Sequence, residues 1–303
     1  MAGAMNEHLC GWINRPDWVA QVLELLPMPI LGDHDAAIRG SGAGKVTLLF
    51  KCVEKVMGTF PQREQTIGDC VSHGCANAVD TLACTEIVLG GERETWPAEA
   101  ATEPIYAGSR VEVGKGRLGN GDGSVGAWGA EWIEKWGVLL RQVYGDIDLT
   151  TYSGARARDW GRASKGCPDP LEPIAKEHPV RTVSLCTTYE QARDAIANGF
   201  PVTVASMQGF NSTRDAEGFC KAQGSWAHQM SFLAADDEHA RPGLLCQNSW
   251  GPSWNSGPKR HEQPDGSFWV DADVANKMLK QADSFAVSNF DGFPSQDLDH
   301  LLI

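Results

Sequence analysis

The chain has 303 residues, 42% hydrophobic and 21% charged, a balance that buries a sizeable core in one large domain or two lobes. Its formal net charge of −13, with no run of Lys or Arg longer than two, excludes the basic footprint that nucleic-acid binding needs and any pull toward an anionic membrane surface. No apolar stretch spans a bilayer, since VLELLPMPIL (22–31) is short and broken by Pro, and the N-terminus has no signal-peptide pattern.

Nine cysteines without CxxC or disulfide-like spacing are the usage of a reducing compartment, so the expected location is intracellular or inside a viral particle. Residues 1 to about 60 read as an N-terminal extension. Within it, 15–26 carries Trp18, Val19, Val22, Leu23 and Leu26 at helical spacing after a Pro-Asp start. The Gly- and Asp-rich stretch 32–45 is a loop. GSGAGKVT (40–47) is not a phosphate loop, because Arg39 and Val46 stand where that motif needs Gly and Ser or Thr. His34, between Asp33 and Asp35, is read as part of a solvated turn, and no metal or cofactor is expected.

A helix is predicted from Cys70 to about Leu89, with Asp69 as N-cap and Val71, Cys75, Val79, Leu82 and Val88 largely on one side. Cys75 is then core, and His73 an exposed helix histidine. A second helix spans 125–139, its Trp128, Trp132 and Trp136 packing inward. A third covers 189–199, ends at Gly199 and leads into a strand at 200–207. Further strands are predicted at 228–237, 243–250 and 266–272. The insertion at 159–173, rich in Gly, Pro and charge, is expected to cross the surface between the lobes. Helices precede strands, which indicates an α+β fold in two lobes.

Cys70 at a helix start, His228 in one strand and Asn248 at the end of the next supply the parts of a nucleophile–base–orienter triad. The helix N-terminus favours a thiolate, a protonated imidazole pairs with it and later protonates a leaving amine, and an amide oxygen fixes the ring. Trp250 is placed to shield that hydrogen bond. Gln65 is the candidate side-chain donor to an oxyanion, beside the backbone N–H of Cys70.

These stretches resemble papain-like cysteine peptidases of the bacterial and viral type over about residues 60–285. The carriers are QTIGDCVSHGCANA (65–78), EPIYAGSRV (103–111), GDGSVGAWGAEWIEKWGVL (121–139), WAHQMSFLAADD (226–237), CQNSWGPSW (246–254) and DGSFWVDADVANKML (265–279). The 158 residues from Cys70 to His228 and the 20 from His228 to Asn248 follow the family's order. The resemblance implies a helical lobe (about 61–180), an antiparallel β-barrel-like lobe (about 181–285), a cleft between them and a C-terminal tail at 286–303. It implies that Gly123 hydrogen-bonds the backbone of a polypeptide substrate held in extended form. It also implies that residues 1–60 are a prosegment or a docking arm; a prosegment would be cut near residue 60. The chain departs from the family at Ile67, Asp69 and Val71, and Gln65 stands one residue nearer the nucleophile. Asp69 opposes the thiolate.

The function expected is a thiol-dependent endopeptidase working through an acyl-enzyme. The alternative is a structural or interaction protein on the same scaffold, such as a virion component, self-associating or assembled into a larger particle.

Overall fold

The computed structural model describes residues 7–33, 38–90, 95–178, 180–296 and 298. His34 lies outside the described residues. The helices are α1 (Pro16–Leu23), α2 (Phe50–Met57), α3 (Cys70–Gly90), α4 (Thr102–Gly108), α5 (Gly126–Lys135), α6 (Gly154–Trp160), α7 (Glu172–Ala175), α8 (Tyr189–Ala197) and α9 (Ala272–Leu279). The strands are β1 (Val46–Leu48), β2 (Val143–Tyr144), β3 (Ile147–Asp148), β4 (Thr182–Leu185), β5 (Val202–Arg214), β6 (Cys220–Asp236), β7 (Gly243–Gln247), β8 (Ser267–Asp271) and β9 (Phe285–Ser288). None of these helices is long and apolar enough to cross a membrane.

Helices dominate the first half and strands the second, as the sequence predicts. The main sheet is antiparallel and runs β4-β9-β5-β6-β7-β8, with β1 paired to β6 through Val46 and Asp236. This path is open, so the β half is a sheet and not a closed barrel. β6 is its long central member, with partners on both edges, and its residues from His228 to Asp236 are all buried.

Helix α3 stands against that strand. Its periodicity predicts one buried face, but every residue from Cys70 to Thr85 is buried. Such a helix is core on all sides, and its polar residues need partners inside. Ser231 donates to the carbonyl of Gly74 at 2.8 Å, and Asp80 takes the guanidinium of Arg63, the indole N–H of Trp96 and the amide of Ala100. A side chain at Gly74 would meet Gln229 and Met230 at 3.0 Å, so glycine there permits the close approach of helix and strand. His73 is buried for the same reason, which corrects the exposed position expected for it.

The described residues of the N-terminal 60 pack against the body. Trp18 of α1 stacks on Trp128 of α5 at 4.7 Å between ring centres. Residues 29–31 pair with the edge at Leu185, β1 lies in the sheet, and α2 buries Phe50, Cys52 and Val53. The glycine-rich loop does cradle an anion, but a protein one. The amides of Gly40 and Gly42 donate to the carboxylate of Asp194 at 2.6 and 3.0 Å.

Candidate active site

Cys70 is the first residue of α3 and has no exposed surface. The backbone N–H of Gln229, the residue after His228, donates to its Sγ at 3.4 Å, which brings the thiol and the histidine strand into contact. His228 is also fully buried. Its Nε2 lies 2.8 Å from Oδ1 of Asn248, while Nδ1 has no hydrogen-bond partner among the described residues. Oδ1 of Asn248 also accepts the N–H of Ser249 at 2.7 Å, which fixes the amide's orientation. Trp250 lies tilted over the imidazole at 4.7 Å between ring centres, and Trp226 packs on Trp250 at 4.6 Å.

Gln65 joins the same group through residues 63–65, which pair with 249–251: its amide donates to the carbonyl of Ser249 at 2.9 Å. The hydroxyl of Ser249 donates to Oε1 of Gln65 at 2.6 Å, which fixes the orientation of the side-chain amide. Both Nε2 hydrogens are engaged, by the carbonyls of Ile67 and Leu9 at 2.8 Å each. The structure thus brings together Cys70, His228, Asn248, Gln65 and Trp250.

Gly123 behaves differently from the expectation. Its N–H donates to the Tyr106 hydroxyl at 3.0 Å and its carbonyl accepts from Arg110, so neither group is left for a peptide. Pairing falls on the next residue. Ser124 donates to the carbonyl of Gly11 at 2.8 Å and accepts the N–H of Ile13 at 2.9 Å. Gly123 has φ of +109°, and a Cβ there would sit 2.8 Å from the Gly11 carbonyl, which explains why glycine precedes that edge.

Residues 9–13 of the same chain thus run between the backbone at Ser124 and that at Ala227. Leu9 gives its carbonyl to Gln65, and Trp12 donates its amide to the carbonyl of Ala227 at 3.0 Å. This burial sets the electrostatics. Loss of water pushes the Cys70 thiol up to about 12, with the charge of Asp69 adding in the same direction. It holds His228 down to about 4. Thiol and imidazole are both neutral at pH 7. Asp69 holds the expected N-cap position, its carbonyl accepting the amide of His73 at 3.4 Å, but its side chain does not cap the helix: the carboxylate accepts from the Tyr152 hydroxyl at 2.9 Å and lies 3.4 Å from Nε2 of His73.

Sequence reasoning missed Ser124, Ala227, Gln229 and Ser249. All four are immediate neighbours of residues that it singles out, and Ser124, Ala227 and Gln229 act through the backbone, where side-chain identity gives no signal.

The chain has the papain-like fold. Xylellain, a cysteine protease from Xylella fastidiosa, superposes with a TM-score of 0.56 at 18% identity, covering 94% of this chain and 97% of that one. Procathepsin L2 proteinase from Tenebrio molitor larval midgut gives 0.57 at 16% identity, over 94% and 78%. ProCathepsin B S9 from Trypanosoma congolense gives 0.54 at 11%, over 97% and 89%. No family model matches the chain, and no curated protein matches it in sequence.

Proposed function

We propose that the protein is a thiol-dependent endopeptidase, held latent by residues 9–13, in which Cys70, His228 and Asn248 act as nucleophile, base and orienter. The observation that carries this reading is the Nε2–Oδ1 contact of His228 and Asn248, with Nδ1 unpartnered among the described residues, on a ring whose neighbour's amide touches the Cys70 sulfur. An orienting bond at one ring nitrogen leaves the other to take the thiol proton.

When residues 9–13 leave, water and substrate enter, and the burial that keeps thiol and imidazole neutral is relieved. The thiol proton passes to Nδ1, the thiolate attacks the substrate carbonyl, and the amide of Gln65 released by Leu9 receives the oxyanion beside the backbone N–H of Cys70. The imidazolium then protonates the leaving amine, and water hydrolyses the thioester with His228 as base. The peptidase unit in this reading includes β1 and α2, which are built into the sheet and core, so the inhibitory element is the short stretch before α1 and not the whole of residues 1–60.

The test is labelling of the full-length chain with an epoxysuccinyl peptide at neutral pH, read by intact mass. One adduct on the wild type that disappears in Cys70→Ala and His228→Ala supports the reading. An adduct unaffected by His228→Ala would sink it. If no adduct forms even after residues 9–13 are loosened, the scaffold is better read as a structural or interaction protein.

A further inference from the structure

Residues 119–124 form an irregular stretch with glycine at 119, 121 and 123, and φ of +60° at Gly119 and +109° at Gly123. Such backbone has little conformational preference of its own. Its hold comes from one short segment, the end of α4 and the single π-helical turn (Ser109–Val113) that follows it. Arg110 in that turn is 2% exposed, and its guanidinium donates to four carbonyls. Nε reaches Gly161 at 2.8 Å, and the two terminal nitrogens reach Gly119 at 3.0 Å, Gly121 at 2.5 Å and Gly123. Among the described residues it pairs with no carboxylate, and the neighbouring Asp122 is taken by Arg158 at 2.7 Å. Burying a cation against carbonyls alone is costly, and the chemistry above has no use for it.

Two residues beside Arg110 complete the hold. The hydroxyl of Tyr106 accepts the amide of Gly123 at 3.0 Å. Ser109 donates its hydroxyl to the carbonyl of Tyr106 at 3.0 Å, so Ser124 is the donor in the 2.8 Å contact between the two serine hydroxyls. With the carbonyls of 119, 121 and 123 gathered on one guanidinium, the N–H and carbonyl of Ser124 are the groups that pair with Gly11 and Ile13. We propose, resting on the hydrolase reading, that Arg110 is a positioning residue for substrate: it holds the glycine-rich loop so that both backbone groups of Ser124 stand in register for an extended peptide that takes the place of residues 11–13. Lysine could not replace it, since an ammonium is one point of charge where the planar fork reaches four carbonyls.

The test takes Gly11→Ala as the parent chain, because a side chain there crowds the backbone of Gly68 and loosens residues 9–13. The parent and its Arg110→Lys and Arg110→Ala variants are titrated with an epoxysuccinyl peptide, which uses the Ser124 edge, and with iodoacetamide, which does not. In both variants the half-saturating peptide concentration is expected to rise about tenfold or more. The maximal labelling rate and the iodoacetamide rate at Cys70 should stay within a few-fold of the parent. Guanidinium ion at millimolar concentration should restore the half-saturating value in Arg110→Ala, and ammonium should not.

A half-saturating value that moves in neither variant would overturn the proposal. So would an iodoacetamide rate that changes as much as the peptide rate, or labelling that spreads to the other cysteines, because Arg110 would then support the fold at large. If the Arg110 chains do not fold, Tyr106→Phe decides. It releases one bond of the same loop and should raise the half-saturating value about threefold to tenfold, and an unchanged value would overturn the proposal. A parent chain labelled by iodoacetamide and by no peptide epoxide fails at an earlier step: the hydrolase reading falls, and the role of Arg110 with it.

Discussion

Cys70 and His228 are pushed in opposite directions by one cause, the removal of water, and both moves favour the uncharged form. The histidine carries a consequence for stability. Its value in the folded chain lies below the ordinary 6.5, so the unfolded chain binds the proton first. Stability from the neutral ring is complete above about pH 6.5 and drains as pH falls toward 4, by up to about 3 kcal/mol. Urea midpoints measured at pH 7 and pH 4.5 should fall further for wild type than for His228→Gln, which has no ring to protonate. An equal fall in both chains would contradict the buried neutral assignment. The same residues are the ones most open to reading in the sequence. Cys70, His228 and Asn248 stand in stretches whose neighbours have distinctive types, Trp250 above all. At Gly123 the sequence points one position early, because a turn glycine is conspicuous and the adjacent backbone that does the pairing is not.

At the scale of elements, period and capping residues locate the helices at 16–23, 70–90, 126–135 and 189–197 and the strands β7 and β8 within a few residues, but they find only the first half of β5 and the second half of β6, whose arms at 208–214 and 220–227 carry no strand signal. What periodicity could not give is the environment of α3, where His73, Asn77 and Asp80 interrupt the apolar face yet are buried. Their partners, Tyr152, Arg63 and Trp96, come from distant parts of the chain. Residues 9–13 are illegible for a related reason. HLCGWI (8–13) has no partner strand nearby in sequence, and its bonds go to residues 65, 124 and 227. Gly11 is the tightest point of this segment: a Cβ there would lie 1.9 Å from the backbone oxygen of Gly68. Neither backbone has room to yield, and overpacking of this kind costs about 1–3 kcal/mol. Gly11→Ala should therefore raise the rate of Cys70 alkylation by about 5- to 100-fold while leaving the thermal midpoint of the body nearly unchanged. A rate equal to wild type would show that the strand is not what shields the thiol.

Across the whole molecule, the first 60 residues are not a detachable cover. Among the described residues of this segment, those at 9–13 bond to the residues around the thiol. From α1 onward the segment is stapled to the body by the Trp18–Trp128 stack, the edge at Leu185, the bonds to Asp194 and the pairing of β1 with β6. In the peptidase reading proposed above, this staple makes residues 9–13 a tethered competitor of the substrate. A segment that can swing out only a few residues beyond its anchor returns at an effective concentration of about millimolar, whatever the protein concentration. If the chain is the peptidase proposed above, a peptide added from solution must outcompete that value, so wild-type turnover should saturate only near millimolar substrate and be insensitive to dilution of the protein. Gly11→Ala should lower the half-saturating concentration by the same factor by which it speeds alkylation. The competition is thus settled within one molecule, and any binding event that holds the N-terminus away from the cleft would act as a switch without touching the nucleophile.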